Sequence, residues 1–282
     1  MHPHRSSTVL APGGDLVEAL ERLGGQGYGA VGVAGGDGSI AAAAGVAIRR
    51  RLPLVVVPAG TLNHLARDLG VETVADAVAA VRSGRAAQID IGWIAGRSFL
   101  NTASFGSYVE LVDAREELEG RIGKWPALVV ALVRVLRHGS PVEAELAGRR
   151  RSLWLAFVGN CRYQPDGMAP TWRERLDDGQ LDVRIVDAAH PLCRTRLVLA
   201  VLTGTLRRSR VLTTWRTTSL AVRSADGPLR LARDGETFDG PRSFEVAKDG
   251  TRLAVLTRGV AGRAPRHRHA VGNSLAPGGA RG

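Results

Sequence analysis

Two glycine-centred loops constrain this chain more than any other feature: Gly35-Gly36-Asp37-Gly38-Ser39 and Pro58-Ala59-Gly60-Thr61-Leu62-Asn63. Each follows a short apolar run, residues 30–34 and 54–57, and each opens a helical pattern. Fully apolar runs of this length read as buried strands of parallel type. The Ala-rich stretch between them, 39–51, reads as the crossover helix of a right-handed βαβ unit. A strand ending in glycines lets bare backbone N–H groups approach an anion, and the helix that follows adds a favourable dipole. The pair therefore reads as a phosphate cradle. It is neither a Walker A loop, which needs Gly-Lys-Ser/Thr, nor the dinucleotide fingerprint of three spaced glycines.

Flanking patterns extend this unit. Residues 15–23 have helical apolar spacing behind Asp15 and stop at Gly24-Gly25, while 62–69 and 74–81 form two further helices closed by Gly70 and Gly84. Residues 89–91 and 99–101 read as strands joined by a turn at Ala95-Gly96. Short strand candidates then follow at 142–146, 153–158, 181–186, 212–222, 229–232, 244–246 and 253–256, separated by Gly, Pro and Asp turns. That spacing marks an antiparallel sandwich or barrel. Helical stretches at 109–118, 125–136 and 192–206 precede or interrupt it. The expected architecture is an α/β unit over 9–92, a mainly β unit over 93–258 and a disordered basic tail over 259–282.

With the two loops, Asp178-Gly179-Gln180-Leu181-Asp182-Val183 and Asp234-Gly235-Glu236 complete a set of four motifs. In that order they resemble the diacylglycerol kinase-like lipid kinases, a group that also contains sphingosine kinases and bacterial lipid kinases. The first loop alone is less specific, because 6-phosphofructokinases and NAD kinases carry similar ones. The resemblance spans roughly 14–258. It implies a nucleotide-binding α/β domain, a β-sandwich-like second domain, and ATP- and Mg2+-dependent transfer of a γ-phosphate to a lipid hydroxyl, diacylglycerol first among acceptors.

Phosphoryl transfer needs donors for the phosphate oxygens, a cation to offset charge and a group to take the alcohol's proton. Gly35, Gly36, Gly38 and Ser39 supply donors in the first loop, and Gly60, Thr61 and Asn63 in the second. By resemblance all belong to the nucleotide site, although Thr61 and Asn63 are also fit to cap a helix. Asp37 belongs by resemblance to the magnesium and nucleotide network; its alternative is again a cap. Asp90 and Glu236 join the catalytic Mg2+ set by the same resemblance, and Asp234 is the implied base. From the residues alone, Asp234-Gly235 reads equally as an acidic turn. Asp178 is the implied ligand of a structural Mg2+, with an Asp-Gly hairpin turn as the alternative. Asn160 matches a recurrent family position. His64 stands where many members carry an Asp, so one metal-linked carboxylate is missing. Members usually have a further strand and an Asn-Pro-x-Ser-Gly-like turn before the first loop. Neither is found here, so a truncated α/β unit is expected, and with it the alternative of a catalytically silent homologue acting in regulation or membrane binding.

Composition limits the partners. A net charge of +11 falls to +7 without the four arginines of 263–282, and it suits ATP, anionic lipid or nucleic acid alike. Aromatics at 5% and the absence of a nucleic-acid motif argue against the last. The expected partners are ATP, a membrane lipid and an anionic membrane surface, with a homodimer left open. Trp125, Leu128, Val129 and Leu132 read as core or lipid contacts, and Arg134, Arg137, Arg149, Arg150 and Arg151 as headgroup contacts. Cys161 and Cys193 show no metal-binding or disulfide spacing, and neither a signal peptide nor a spanning segment is recognisable. The expected location is cytoplasmic, peripheral at the inner face of the membrane.

Overall fold

The computed structural model describes residues 15–24, 27–106, 109, 141–164, 172–189, 196 and 212–258. Apart from Val109 and Arg196, the helices expected at 109–118, 125–136 and 192–206, with Trp125, Leu128, Val129, Leu132, Arg134, Arg137, Cys193 and the tail, lie outside the described residues.

The two apolar runs form strands β1 (Val31–Gly35) and β2 (Leu54–Pro58), parallel and in register from Val31 beside Leu54 to Gly35 beside Pro58. Helix α2 (Asp37–Arg50) crosses between them. Its buried face is almost all alanine, with Ile40 and Val46, so the helix lies close on the sheet. It ends at Arg51, which adopts the left-handed region (φ 55°). Helix α1 (Leu16–Gly24) packs on α2, with Glu21 bridging Arg49 and Arg50 at the surface. After β2 come α3 (His64–Asp68) and α4 (Val74–Ser83), the latter entered through a Thr73/Asp76 capping box. Strand β3 (Arg85–Asp90) follows.

One strand of this sheet comes from the far end of the chain. The order is β1-β2-β17-β3, where β17 (Arg252–Thr257) runs parallel to β2 and antiparallel to β3. The sequence reading puts 253–256 in the second unit; the structure puts it in the first sheet, where Leu253 and Val255 join the core with Val33, Leu54 and Ile89.

The chain crosses to the second sheet between Asp90 and Gly92. There, β4 (Gly92–Ile94), β5 (Arg97–Phe99), β6 (Thr102–Gly106), β7 (Val142–Leu146), β8 (Arg149–Asn160), β11 (Leu181–Asp187), β12 (Leu212–Thr217), β13 (Ser219–Ser224), β14 (Arg230–Arg233), β15 (Glu236–Asp239) and β16 (Ser243–Ala247) form an 11-stranded antiparallel sheet. A short ribbon, β9 (Tyr163–Gln164) with β10 (Trp172–Arg173), stands apart. The long β8 pairs with β6, β7 and β11, which curls the sheet into an antiparallel half-barrel or sandwich around Phe105, Val158, Val183 and Leu231. The chain is therefore α/β followed by mainly β, as its sequence implies. Among the described residues, no helix is long and apolar enough to cross a membrane.

Three strand assignments differ from the sequence reading, and in the first the run 89–91 ends at Asp90 while a separate strand, β4, leads into the Ala95-Gly96 turn. The run 212–222 breaks at Thr218, because Thr217 Oγ1 donates to Ser219 O (2.7 Å) and accepts from Ser219 N (3.3 Å). This local turn sends β12 to β11 and β13 to β7 and β16. The strand expected at 99–101 ends at Phe99, and a new one, β6, begins at Thr102. The backbone N–H groups between them serve a side chain of the site.

Candidate active site

Because β1 and β2 end level, both glycine loops leave the same edge of the sheet side by side. Ala59 N donates to Gly35 O (3.1 Å). A Cβ on Gly60 would collide with Gly36 Cα and lie 2.9 Å from Asn63 Oδ1, so only glycine fits there and the two backbones touch. Asn63, at φ 49°, clasps its own loop: Nδ2 donates to Gly60 O (2.7 Å) and Oδ1 accepts from Gly60 N (3.0 Å). Its amide is thus spent on shaping the loop, while Thr61 is exposed. The N-terminus of α2 carries no side-chain cap. Its first N–H groups remain available to an anion. Asp37 does not cap the helix either, and among the described residues its buried Oδ1 has no hydrogen-bond partner. A buried, unpartnered carboxylate oxygen fits a hard cation such as Mg2+.

The second sheet reaches this loop through one hairpin. Asp234 (φ 47°) and Gly235 (φ 91°) form the two-residue turn between β14 and β15, with positive φ at both positions. The turn aims Glu236 at the first loop, its Oε1 3.4 Å from where a Cβ on Gly38 would stand. Glu236 is more than half exposed, with Arg233 3.7 Å away. Asp234 turns inward: Oδ2 accepts from Leu100 N (2.8 Å) and Oδ1 from Asn101 N (2.7 Å) and Thr102 N (3.1 Å). These bonds are why no strand forms at 100–101. Burial pushes the Asp234 carboxyl above the usual carboxylate range, against the opposing pull of the three N–H groups. The structure thus brings Glu236 to Gly38, the chain neighbour of Asp37, with Asp234 in the same turn as Glu236.

Asp90 goes elsewhere. Val255 pairs with both Leu54 and Ala87, and β3 runs opposite to β2, so Asp90 lies beyond the start of β2, at the sheet end away from Gly35 and Pro58. Instead of meeting Asp37 and Glu236, it meets Asp178. Ligand atoms of Asp90, Cys161 and Asp178 lie within 4.8 Å of one another. Asp90 Oδ2 accepts from Gly179 N (2.7 Å) and from Lys248 Nζ (2.9 Å). Asp178 Oδ2 accepts from Arg162 N and Oδ1 from Gln180 N, both at 2.9 Å. Burial raises the Asp90 carboxyl, but Lys248 and Gly179 outweigh it and hold the group below its ordinary value. Burial pushes the Cys161 thiol up to about 12. Asn160 acquires a role here: buried, its Nδ2 donates to Asp90 O (2.8 Å) and Leu100 O (2.9 Å).

One positioning residue carries no signal in the sequence. Arg173 is fully buried; Nε donates to Asp68 Oδ2 (2.7 Å), one terminal nitrogen to Leu100 O (2.6 Å) and Asn160 O (3.2 Å), and the other to Asn101 Oδ1 (2.8 Å). Asp68 ends the helix that follows the second glycine loop, and Leu100-Asn101 is the segment held by Asp234. Arg173 therefore ties the second loop to the catalytic-turn candidate. Apart from Asn160, its partners lie 72 to 105 residues away along the chain, beyond any local motif.

Comparison with known proteins bears on the family and the fold. Residues 5–94 match the diacylglycerol kinase catalytic domain, and residues 115–255 match the YegS C-terminal NAD kinase beta sandwich-like domain. The protein named "Probable lipid kinase YegS-like" from Pseudomonas aeruginosa is 29% identical over 252 residues, 85% of this chain and 81% of that one. Its namesake from Pseudomonas syringae pv. tomato is 30% identical over 77% of this chain and 72% of its own length. A diacylglycerol kinase of Bacillus subtilis is 30% identical over 63% of this chain and 61% of its own. The crystal structure of a diacylglycerol kinase from Bacillus anthracis superimposes with a TM-score of 0.58 at 16% identity, covering 86% of this chain and 81% of the other, which shows a shared fold. The chain belongs to the family of diacylglycerol kinase and YegS-like lipid kinases.

Proposed function

We propose that the chain transfers the γ-phosphate of ATP to the hydroxyl of a membrane lipid, with diacylglycerol the first acceptor to test. The observation that carries this reading is the convergence of three chain segments: two glycine loops in backbone contact, and across from the first of them Glu236, in the same turn as Asp234. The N–H groups at the start of α2, with the exposed Thr61 of the second loop, would hold the phosphates of ATP. Asp37, through its unpartnered oxygen, and Glu236 would hold Mg2+. When bound, the ion offsets the charge on the phosphate oxygens. Asp234 Oδ2 accepts a single N–H and keeps a lone pair for the proton of the acceptor hydroxyl. Its raised proton affinity suits that task.

A lipid acceptor requires docking on a membrane, at its cytoplasmic face in this reading. The net charge of +11 favours an anionic surface, and Arg149 and Arg150 are exposed at the β7–β8 hairpin, worth about 1 kcal/mol each near such a surface.

The test incubates the purified chain with Mg2+, γ-labelled ATP and vesicles holding diacylglycerol, a sphingoid base or a polyprenol, followed by organic extraction. Label in the organic phase establishes lipid phosphorylation, and chromatography names the acceptor. No transfer by folded protein would leave a catalytically silent family member.

A further inference from the structure

The family resemblance implies a structural Mg2+ at Asp178, and the side chains around it do not fit one. We propose that Lys248 is a built-in cation at this position, its ammonium holding the crossing between the two sheets without a divalent ion. Lys248 Nζ lies 2.9 Å from Asp90 Oδ2, 3.1 Å from Cys161 Sγ and 3.7 Å from Asp178 Oδ1. The side chains of Lys248, Asp90 and Asp178 are only 6%, 7% and 15% exposed, so the ammonium has left bulk water for this pocket.

Three observations weigh against sharing the pocket with Mg2+. Asp90 Oδ2 already accepts from both Gly179 N and Lys248 Nζ, and each oxygen of Asp178 has given one of its two lone pairs to a backbone N–H. The third candidate ligand, Cys161, offers a buried sulfur, whereas Mg2+ selects hard oxygen donors in octahedral array. Charge is also balanced: two carboxylates face Lys248 and Arg252, the latter 3.5 Å from Asp90 Oδ1. A divalent ion would add two charges beside an ammonium.

Residue choice agrees. Only two of the 38 basic residues are lysines, Lys124 and Lys248. Three acceptors around one point suit a compact ammonium with three rotatable donors, and a planar guanidinium does not match them. The position is also mechanically apt. Lys248 follows β16 and precedes β17, where the chain returns to the first sheet, and Asp90 is where it leaves. One ammonium thus joins both crossings to the Asp178-Gly179 turn.

Thermal unfolding of the full chain tests this whether or not it is a kinase. Wild type and Asp178→Asn are melted in EDTA and in millimolar Mg2+. Cation binding elsewhere, including at Asp37 and Glu236, raises both proteins alike. The proposal expects no Mg2+ response that depends on Asp178, and a wild-type rise abolished by Asp178→Asn overturns it. In EDTA, Lys248→Met is expected to melt roughly 6–20 °C below wild type. A Lys248→Met melting point equal to wild type in EDTA overturns the proposal. If Lys248→Met does not fold, the wild-type and Asp178→Asn comparison still decides.

Discussion

Replacing Asp234 with Asn separates what this side chain holds from what it does. In the structure Oδ1 accepts two N–H bonds and Oδ2 accepts one. The amide oxygen of Asn can take the Oδ1 position and keep the bonds from Asn101 and Thr102. Its NH2 group then faces the N–H of Leu100, donor against donor. Leaving that N–H unsatisfied costs about 1–3 kcal/mol, or roughly 2–12 °C in melting temperature for a chain of this size. The variant should therefore fold. The amide takes no proton, so the rate should fall by about 10²–10⁴ if Asp234 is the base. Initial rates on lipid vesicles, at a temperature where circular dichroism shows the variant folded, should give a collapsed kcat with little change in the KM for ATP. The pH profile adds a second readout. Wild-type kcat should decline as pH drops through the raised Asp234 pKa, above the ordinary carboxylate value of about 3.9, and that limb should be missing from the residual activity of the variant. A melting point lowered as calculated with kcat intact would refute the argument, leaving Asp234 as a clamp for residues 100–102.

Further expectations follow from the same contacts. Arg173→Leu strands the carboxylate of Asp68, which is 4% exposed; denaturant melts should show about 3–5 kcal/mol lost, and Asp68→Leu added to it should restore much of that. Gly60→Ala drives a methyl group into Gly36 Cα; overpacking of about 1–3 kcal/mol predicts ATP binding weakened about 5–150-fold by calorimetry. Asp90 has a depressed folded-state pKa, so its contribution is complete above the unfolded value near 3.9 and is lost as pH falls below it. Melting temperature measured against pH should drop below about pH 4, less steeply in Asp90→Asn.

The local parts of this fold could be read from the chain, and the closures could not. Residues 30–58 announce a βαβ unit because strand, Gly turn and Ala-rich helix each have a short-range signature, and the Ala95-Gly96 turn does so as well. Strand β17 looks like its neighbours in sequence, and only pairing with β2 and β3 reveals that it returns to the first sheet. The run 99–101 has strand composition, but the carboxylate of Asp234, more than a hundred residues away in the chain, takes its N–H groups. The two glycine loops and the turn at Asp234 were recognisable as motifs; that they meet is a product of the two sheets. Asp90 was expected beside Asp37, and the antiparallel run of β3 carries it to the other end. Arg173 and Lys248 act through partners that no spacing rule connects.

The central proposal is that phosphoryl transfer takes place where Glu236 faces Gly38, beside Asp37. Its most direct test is the γ-label recovered in extracted diacylglycerol product from wild type and Asp37→Asn, at equal concentrations of folded protein and with Mg2+ present. The account predicts label from wild type and background counts from the variant. Equal label from both proteins, or none from folded wild type, would contradict it.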